Sequence, residues 1–272
     1  MSTYAIFMDV DGTLVDHTQI PTVATKAAIA KYRQAGHQFF IASGRPLFSA
    51  REMADRVSPG LNVIGANGSV TQIDGTIDAC HFTADALSQM YAASHRLQLP
   101  TYFFTQERVL YLDALPTHMT QDGSNRIAGQ DPAHYLRIDS AEALLAHQAE
   151  ITNGIAIEPL DAEKLAAARA AYTTITDIDT SSSAPDNIEI TAHGVNKATA
   201  IRRVCAQLKI PLDHTMAFGD GNNDLQMLTT VRYGVAMGNA NATVKAAVDY
   251  HTRDIHHDGV AAFLHQFFGD QA

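Results

Sequence analysis

The 272-residue chain has no tryptophan and only two cysteines, Cys80 and Cys205. They lie far apart and form no CxxC, so neither a disulfide framework nor a zinc site is expected. Basic residues are in deficit, 19 Lys and Arg against 29 Asp and Glu, for a formal charge of −10. Scattered cations on an acidic chain are not expected to bind nucleic acid, because affinity for a phosphate backbone needs clustered positive charge. Long apolar runs are missing as well. Residues 4–8 are among the longest and fall far short of the roughly 20 that span a bilayer, so no membrane partner is expected. The first residues show no basic start followed by an apolar stretch, so no secretory signal is expected. These absences together point to the reducing cytoplasm.

What remains is an ordinary globular composition, 46% apolar and 18% charged, on a length that suits one large domain or two smaller ones. Residues 4–8, 38–42 and 62–66 read as buried parallel strands, and residues 24–35 and 47–57 as helices. Gly36 stands just past the first helix, where it would stop it. Asn67-Gly68 signals a turn, and residues 70–77, centred on Asp74-Gly75, read as a hairpin. The alternation returns late, with strands at 215–219 and 234–237 and helices at 224–228 and 242–248. This order predicts an α/β fold with a doubly wound, Rossmann-like parallel sheet. In the middle, helical stretches 84–97, 141–150 and 161–172 alternate with strand-like 101–105, 108–112 and 154–158. Ser181-Ser182-Ser183-Ala184-Pro185 then reads as a linker. The expected organisation is a core of residues 1–82 and 187–272, with a smaller α/β cap domain inserted at 83–186.

Four segments carry chemistry, and three of them directly follow a predicted strand, where open α/β sheets place their ligands. Asp9-Val10-Asp11-Gly12-Thr13 offers two carboxylates and a glycine turn, enough to bind a cation and still supply a nucleophile. Asp220-Gly221-Asn222-Asn223-Asp224 packs oxygen ligands into a tight loop of the kind Mg²⁺ takes with water and phosphate. Neither is a calcium EF-hand loop, because Leu14 and Leu225 stand where that loop needs glycine. Ser43-Gly44-Arg45 places a hydroxyl and backbone N–H groups at a helix start, a suitable anion site. Lys197 draws interest only beside the other three.

These segments, in this order and spacing, resemble the haloacid-dehalogenase-like phosphatase superfamily along the whole chain. The large insertion, with Asn67-Gly68 before it, resembles the Cof-type (subclass IIB) sugar-phosphatase-like branch with an α/β cap. The resemblance implies a Mg²⁺-dependent phosphatase acting on small phosphorylated metabolites such as sugar phosphates. It implies Asp9 as the nucleophile that takes up the phosphoryl group, and Asp11 as general acid and then base. Ser43, Gly44, Lys197 and Asn223 would hold phosphoryl oxygens. Asp9, the main-chain carbonyl of Asp11, and Asp220 would bind the metal, with Asp224 behind them. Charge balance agrees: Asp9, Asp11, Asp220 and Asp224 would repel a phosphate, by about 4 kcal/mol per unit charge at about 4 Å and an effective dielectric near 20. Mg²⁺ and Lys197 supply the opposite sign. The alternatives are a phosphomutase of the same superfamily and a non-catalytic phosphate-binding regulator.

Some positions depart from the pattern or sit outside it. Ala198 follows the lysine where the superfamily often has glycine, which a helix tolerates. Asp258-Gly259-Val260 fits, but Ile255 stands where asparagine is usual, so no polar side-chain contact is expected there. Asn67 reads either as a turn residue or as a group near the phosphate. His256 and His257 are expected in a surface loop. Tyr102, Phe103 and Phe104 are expected to pack the cap core.

Overall fold

The computed structural model describes residues 2–112 and 134–269. Its larger sheet runs, edge to edge, β14 (Tyr250–His251), β13 (Tyr233–Ala236), β12 (Thr215–Gly219), β1 (Ala5–Met8), β2 (Gln38–Ala42), β3 (Asn62–Gly65), β4 (Val70–Ile73) and β5 (Thr76–Ala79). From β14 to β3 all neighbours pair in parallel, and β4 and β5 add an antiparallel hairpin. Alternation along each strand buries both faces. Ile6 and Met8 meet helices α1 (Val23–Gln34), α2 (Leu47–Val57) and α9 (Gly259–Phe267), while Ala5 and Phe7 meet α6 (Lys197–Leu208), α7 (Leu225–Thr230) and α8 (Ala242–Ala246). The expected doubly wound α/β fold is therefore present. The chain leaves β1 toward β2 and β3 on one side, and β12 returns on the other, so strand order switches between β1 and β12. A crevice opens beyond the carboxyl ends of strands at such a point.

The second sheet runs β10 (Ile178–Ser181), β11 (Asn187–Ala192), β9 (Asn153–Ile157), β6 (Thr101–Phe104), β7 (Val109–Tyr111) and β8 (Tyr135–Arg137). Phe103, Ala156, Ile188 and Ile190 turn to helices α3 (Ala84–Leu97), α4 (Ala141–Leu145) and α5 (Ala162–Thr173). Tyr102, Phe104, Val109 and Ile157 form a second cluster, against which Phe48 of α2 packs.

Two expectations are corrected. Residues 181–185 are not a linker. Ser181 ends β10 and residues 182–186 form the turn of a hairpin into β11, which pairs with both β10 and β9, so residues 187–192 belong to the second sheet and its boundary moves from 186 to beyond 192. Asn187 holds that turn, its Oδ1 accepting from Ser182 Oγ at 3.0 Å and from the Ser183 N–H at 3.3 Å. The helix expected over 141–150 is capped by Ser140 and ends at Leu145. Among the described residues, no helix is long and apolar enough to cross a membrane.

Candidate active site

β1 and β12 end side by side, and their loops bring the two acidic segments together. Asp9 follows β1 and is only 6% exposed. Gly12 turns the chain at φ +89°, and a Cβ there would lie 2.2 Å from an Asp220 carboxylate oxygen. Only glycine lets the two loops approach this closely. Thr13 Oγ1 then donates to Asp220 Oδ1 at 3.2 Å.

Lys197 arrives from the other side of the sheet. It is the first residue of α6, whose cap Asn196 exchanges side-chain and backbone hydrogen bonds with Thr199. Gly68, at φ +101°, lets that cap pass, since a Cβ there would meet the Asn196 carbonyl at 2.3 Å. Ala198 sits within the helix as a buried residue. Lys197 is 2% exposed, and its ammonium donates to Asp9 Oδ1 at 2.6 Å and to Asp224 Oδ1 at 2.7 Å. Asp224 Oδ2 accepts from the Asp220 and Gly221 N–H groups, both at 3.0 Å. Both oxygens of Asp224 are thus engaged in holding its neighbours.

The electrostatics follow from burial. Burial alone would lower the Lys197 pKa, but Asp224 and Asp9 outweigh it and raise it, so the ammonium persists. Burial, then the charge of Asp224, pushes Asp9 well above the ordinary carboxylate range, with Lys197 pulling the other way. Asp220 is pushed up to about 6, first by burial and then by Asp224. Carboxylate oxygens of Asp9, Asp220 and Asp224 lie within 4.8 Å of one another. One ammonium does not neutralise three carboxylates, and the charge of Asp224 adds to burial in raising Asp9 and Asp220. A hard divalent cation fits such an all-oxygen set.

Asp11 lies apart from this cluster. Its carboxylate takes a two-pronged contact from Arg45, Nε to Oδ2 at 2.9 Å and Nη2 to Oδ1 at 2.6 Å, and also accepts from Gln19 Nε2 at 3.1 Å. Arg45 Nη2 donates in turn to Gln19 Oε1. Ser43 is buried at the end of β2, where its Oγ accepts from the Arg45 N–H at 3.2 Å. Asp9, Asp11, Ser43, Gly44, Asp220 and Asn223 all line one cavity of about 490 Å³. Lys197 and Asp224 stand behind it.

The second sheet and its β10–β11 turn supply much of the remaining cavity wall, including Phe104, Asn153, Asp186 and Glu189. Phe104 corrects the expectation for the aromatic run. Phe103 packs the helical face of its sheet, whereas Phe104 points the other way and borders the cavity. Asn67 is both a turn residue, at φ 52°, and a cavity residue, donating from Nδ2 to Glu189 Oε2 at 2.8 Å. The alternation of Asn187, Glu189 and Thr191 with buried isoleucines was the available signal for β11, but no motif singles out Glu189. His256 and His257 are exposed, and His257 pairs with Asp254 at 2.7 Å. Ile255 serves through its backbone: its N–H donates to Asn239 Oδ1 at 3.0 Å, and Asn239 Nδ2 donates to the Gly12 carbonyl at 2.7 Å.

Residues 6–264 match the haloacid dehalogenase-like hydrolase family. Phosphatase YwpJ of Bacillus subtilis is 27% identical over 282 residues, covering 95% of this chain and 98% of the relative. The 5-amino-6-(5-phospho-D-ribitylamino)uracil phosphatase YcsE of Bacillus subtilis is 27% identical over 259 residues, covering 94% and 92%. Among solved structures, the subclass IIB sugar phosphatase BT4131 superposes with a TM-score of 0.82 at 25% identity, covering 98% of this chain and 99% of that one. A haloacid dehalogenase-like hydrolase from Bacteroides thetaiotaomicron, at 21% identity, shares the fold with a TM-score of 0.83 over 98% of this chain and all of its own. With a site of paired loop carboxylates and a buried lysine at the strand-order switch, the chain belongs to the haloacid dehalogenase-like hydrolase family and is a phosphatase.

Proposed function

We propose that this phosphatase hydrolyses small phosphomonoesters, sugar phosphates or similar metabolites, through an aspartyl-phosphate on Asp9 and with Mg²⁺ as cofactor. The observation that carries the reading is the Asp9 carboxylate, held against a buried ammonium at the inner end of a cavity. An Asp9 oxygen attacks phosphorus, the bond to the leaving oxygen breaks, and Asp11 gives that oxygen a proton. Water then attacks the acyl phosphate, Asp11 takes its proton, and inorganic phosphate leaves Asp9 as it began. Asp11 is engaged by Arg45 and Gln19 in this structure, so its proton transfer requires that contact to part. Ser43, Gly44 and Asn223 border the space for the phosphoryl oxygens, and Lys197 fixes Asp9 in place. Asp9, Asp220 and the Asp11 carbonyl would hold Mg²⁺, with Asp224 supporting their loop. Bound there, the ion supplies the positive charge that admits an anionic phosphoryl group.

The relative that acts on a ribityl phosphate and the neighbour that is a sugar phosphatase support a small polyhydroxylated substrate. Two unpaired cysteines, one buried and one half-buried, suit a reducing cytoplasm. The test is phosphate release from p-nitrophenyl phosphate. Turnover should need Mg²⁺, stop with EDTA, and fall by more than about 10³-fold in Asp9→Asn. Retention of turnover by Asp9→Asn would sink the covalent route. Isomerisation of a sugar phosphate without phosphate release would decide for a mutase.

A further inference from the structure

Among the described residues, the part of the cavity wall contributed by the second sheet and its β10–β11 turn carries two carboxylates, Asp186 and Glu189, and no cation. Arg45 is the one cation among the described lining residues, and its guanidinium is committed to Asp11. Glu189 is placed there by strand alternation: Ile188 and Ile190 on either side enter the apolar core, so Glu189 faces the cavity. Its carboxylate is held on both oxygens by neutral donors. Asn67 Nδ2 and Ser181 Oγ donate to Oε2 at 2.8 and 3.3 Å, and Ser183 Oγ donates to Oε1 at 2.6 Å. These bonds fix its position without cancelling its charge.

Asn67 adds an independent observation. It is 6% exposed and lines the same cavity beside Gly44, yet its Oδ1 is buried and has no hydrogen-bond partner. A buried acceptor left unpaired is unfavourable until a donor arrives. The wall therefore presents the negative charge of Asp186 and Glu189 to whatever hangs from the phosphoryl group.

We propose that Glu189 is the specificity-determining residue for the leaving group. Its carboxylate accepts hydrogen bonds from an uncharged, hydroxyl-bearing leaving group, and its charge rejects phosphomonoesters that carry a second anion there. The assignment rests on the phosphomonoesterase reading above. Rejection comes from placing one carboxylate against another that neutral donors hold in place. Selection for hydroxyls comes from acceptors that an anion would leave unpaired.

Glycerol 3-phosphate and 3-phosphoglycerate test this directly, because one ends in a hydroxymethyl group where the other has a carboxylate. Each is measured as a substrate and as a competitor of p-nitrophenyl phosphate hydrolysis. Wild type should favour glycerol 3-phosphate by at least about tenfold, Glu189→Gln should narrow that ratio to within about threefold, and Glu189→Lys should reverse it. Each ratio is taken within one variant, so a loss of folded protein cancels. A wild-type ratio near one, a ratio unchanged in Glu189→Gln, or failure of glycerol 3-phosphate to compete would each overturn the assignment. Absence of Mg²⁺-dependent phosphate release from p-nitrophenyl phosphate, glycerol 3-phosphate and 3-phosphoglycerate alike would instead sink the hydrolase reading on which it rests.

Discussion

Lys197 shows how much one side chain can hold in place. Its ammonium is buried with two carboxylates within 2.7 Å, so its charge is answered inside the protein. Removing it leaves Asp9 and Asp224 buried and facing each other. Lys197→Met should therefore lower unfolding stability by about 3–5 kcal/mol in chemical denaturation and reduce kcat more than it raises KM. A stable variant with full kcat would show that the lysine is only packing. Asp220 gives a prediction of pH. Its folded value of about 6 lies above the unfolded one, so it favours the metal-free fold at low pH and that advantage is lost as pH rises through about 4 to 6. Above that range the buried charge costs the metal-free protein about 3 kcal/mol, by the usual conversion of a pKa difference. Mg²⁺ would relieve that cost. It should raise Tm more at pH 8 than at pH 5 in thermal scans, and its apparent affinity should fall toward tenfold per pH unit below about 6. An equal or larger effect at pH 5 would contradict binding at Asp220.

At the scale of elements, the site depends on how closely loops can approach. Gly68 has a left-handed backbone, and a Cβ would collide with the carbonyl that starts α6. Gly68→Ala should displace the first turn of that helix and with it Lys197. Turnover should fall by at least about tenfold while α-helical content stays near wild type by circular dichroism, because a small misplacement of a reacting group is costly. Unchanged turnover would mean that the turn absorbs the clash. The elements around Asp9 were legible in the sequence because each strand is a short apolar run ending at a polar residue. Gln38–Ala42, Leu47–Val57 and Thr215–Gly219 match their expected bounds. Residues 181–185 were not legible. Serines with a proline suit a linker and a tight turn equally, and pairing of β10 with β11 decides between them. The contact of Asp11 with Arg45 was hidden for a similar reason, since it spans 34 positions and belongs to no local pattern.

The whole molecule divides its labour between two sheets. The larger one carries the charged groups that would act on phosphorus, and those follow short motifs that sequence alone can flag. The smaller one carries the wall that meets the leaving group, and nothing local marks Phe104, Asn153 or Glu189 as facing a cavity. Their orientation comes from strand alternation and from how the two sheets meet. Asn67 touches Glu189 across that meeting, and Phe48 packs on the aromatic face of the second sheet. Asp9 lines the cavity between the two sheets, whose volume of about 490 Å³ is that of a small-ligand pocket. A phosphoryl group on a folded protein cannot bring its carrier along. Accordingly, kcat/KM for a small polyol phosphate should exceed that for a phosphoserine on a folded protein by more than about 10³-fold, as measured by phosphate release under matched Mg²⁺. Comparable rates would mean that the sheets separate widely during turnover, and that the wall containing Glu189 does not meet the leaving group when the bond to phosphorus breaks.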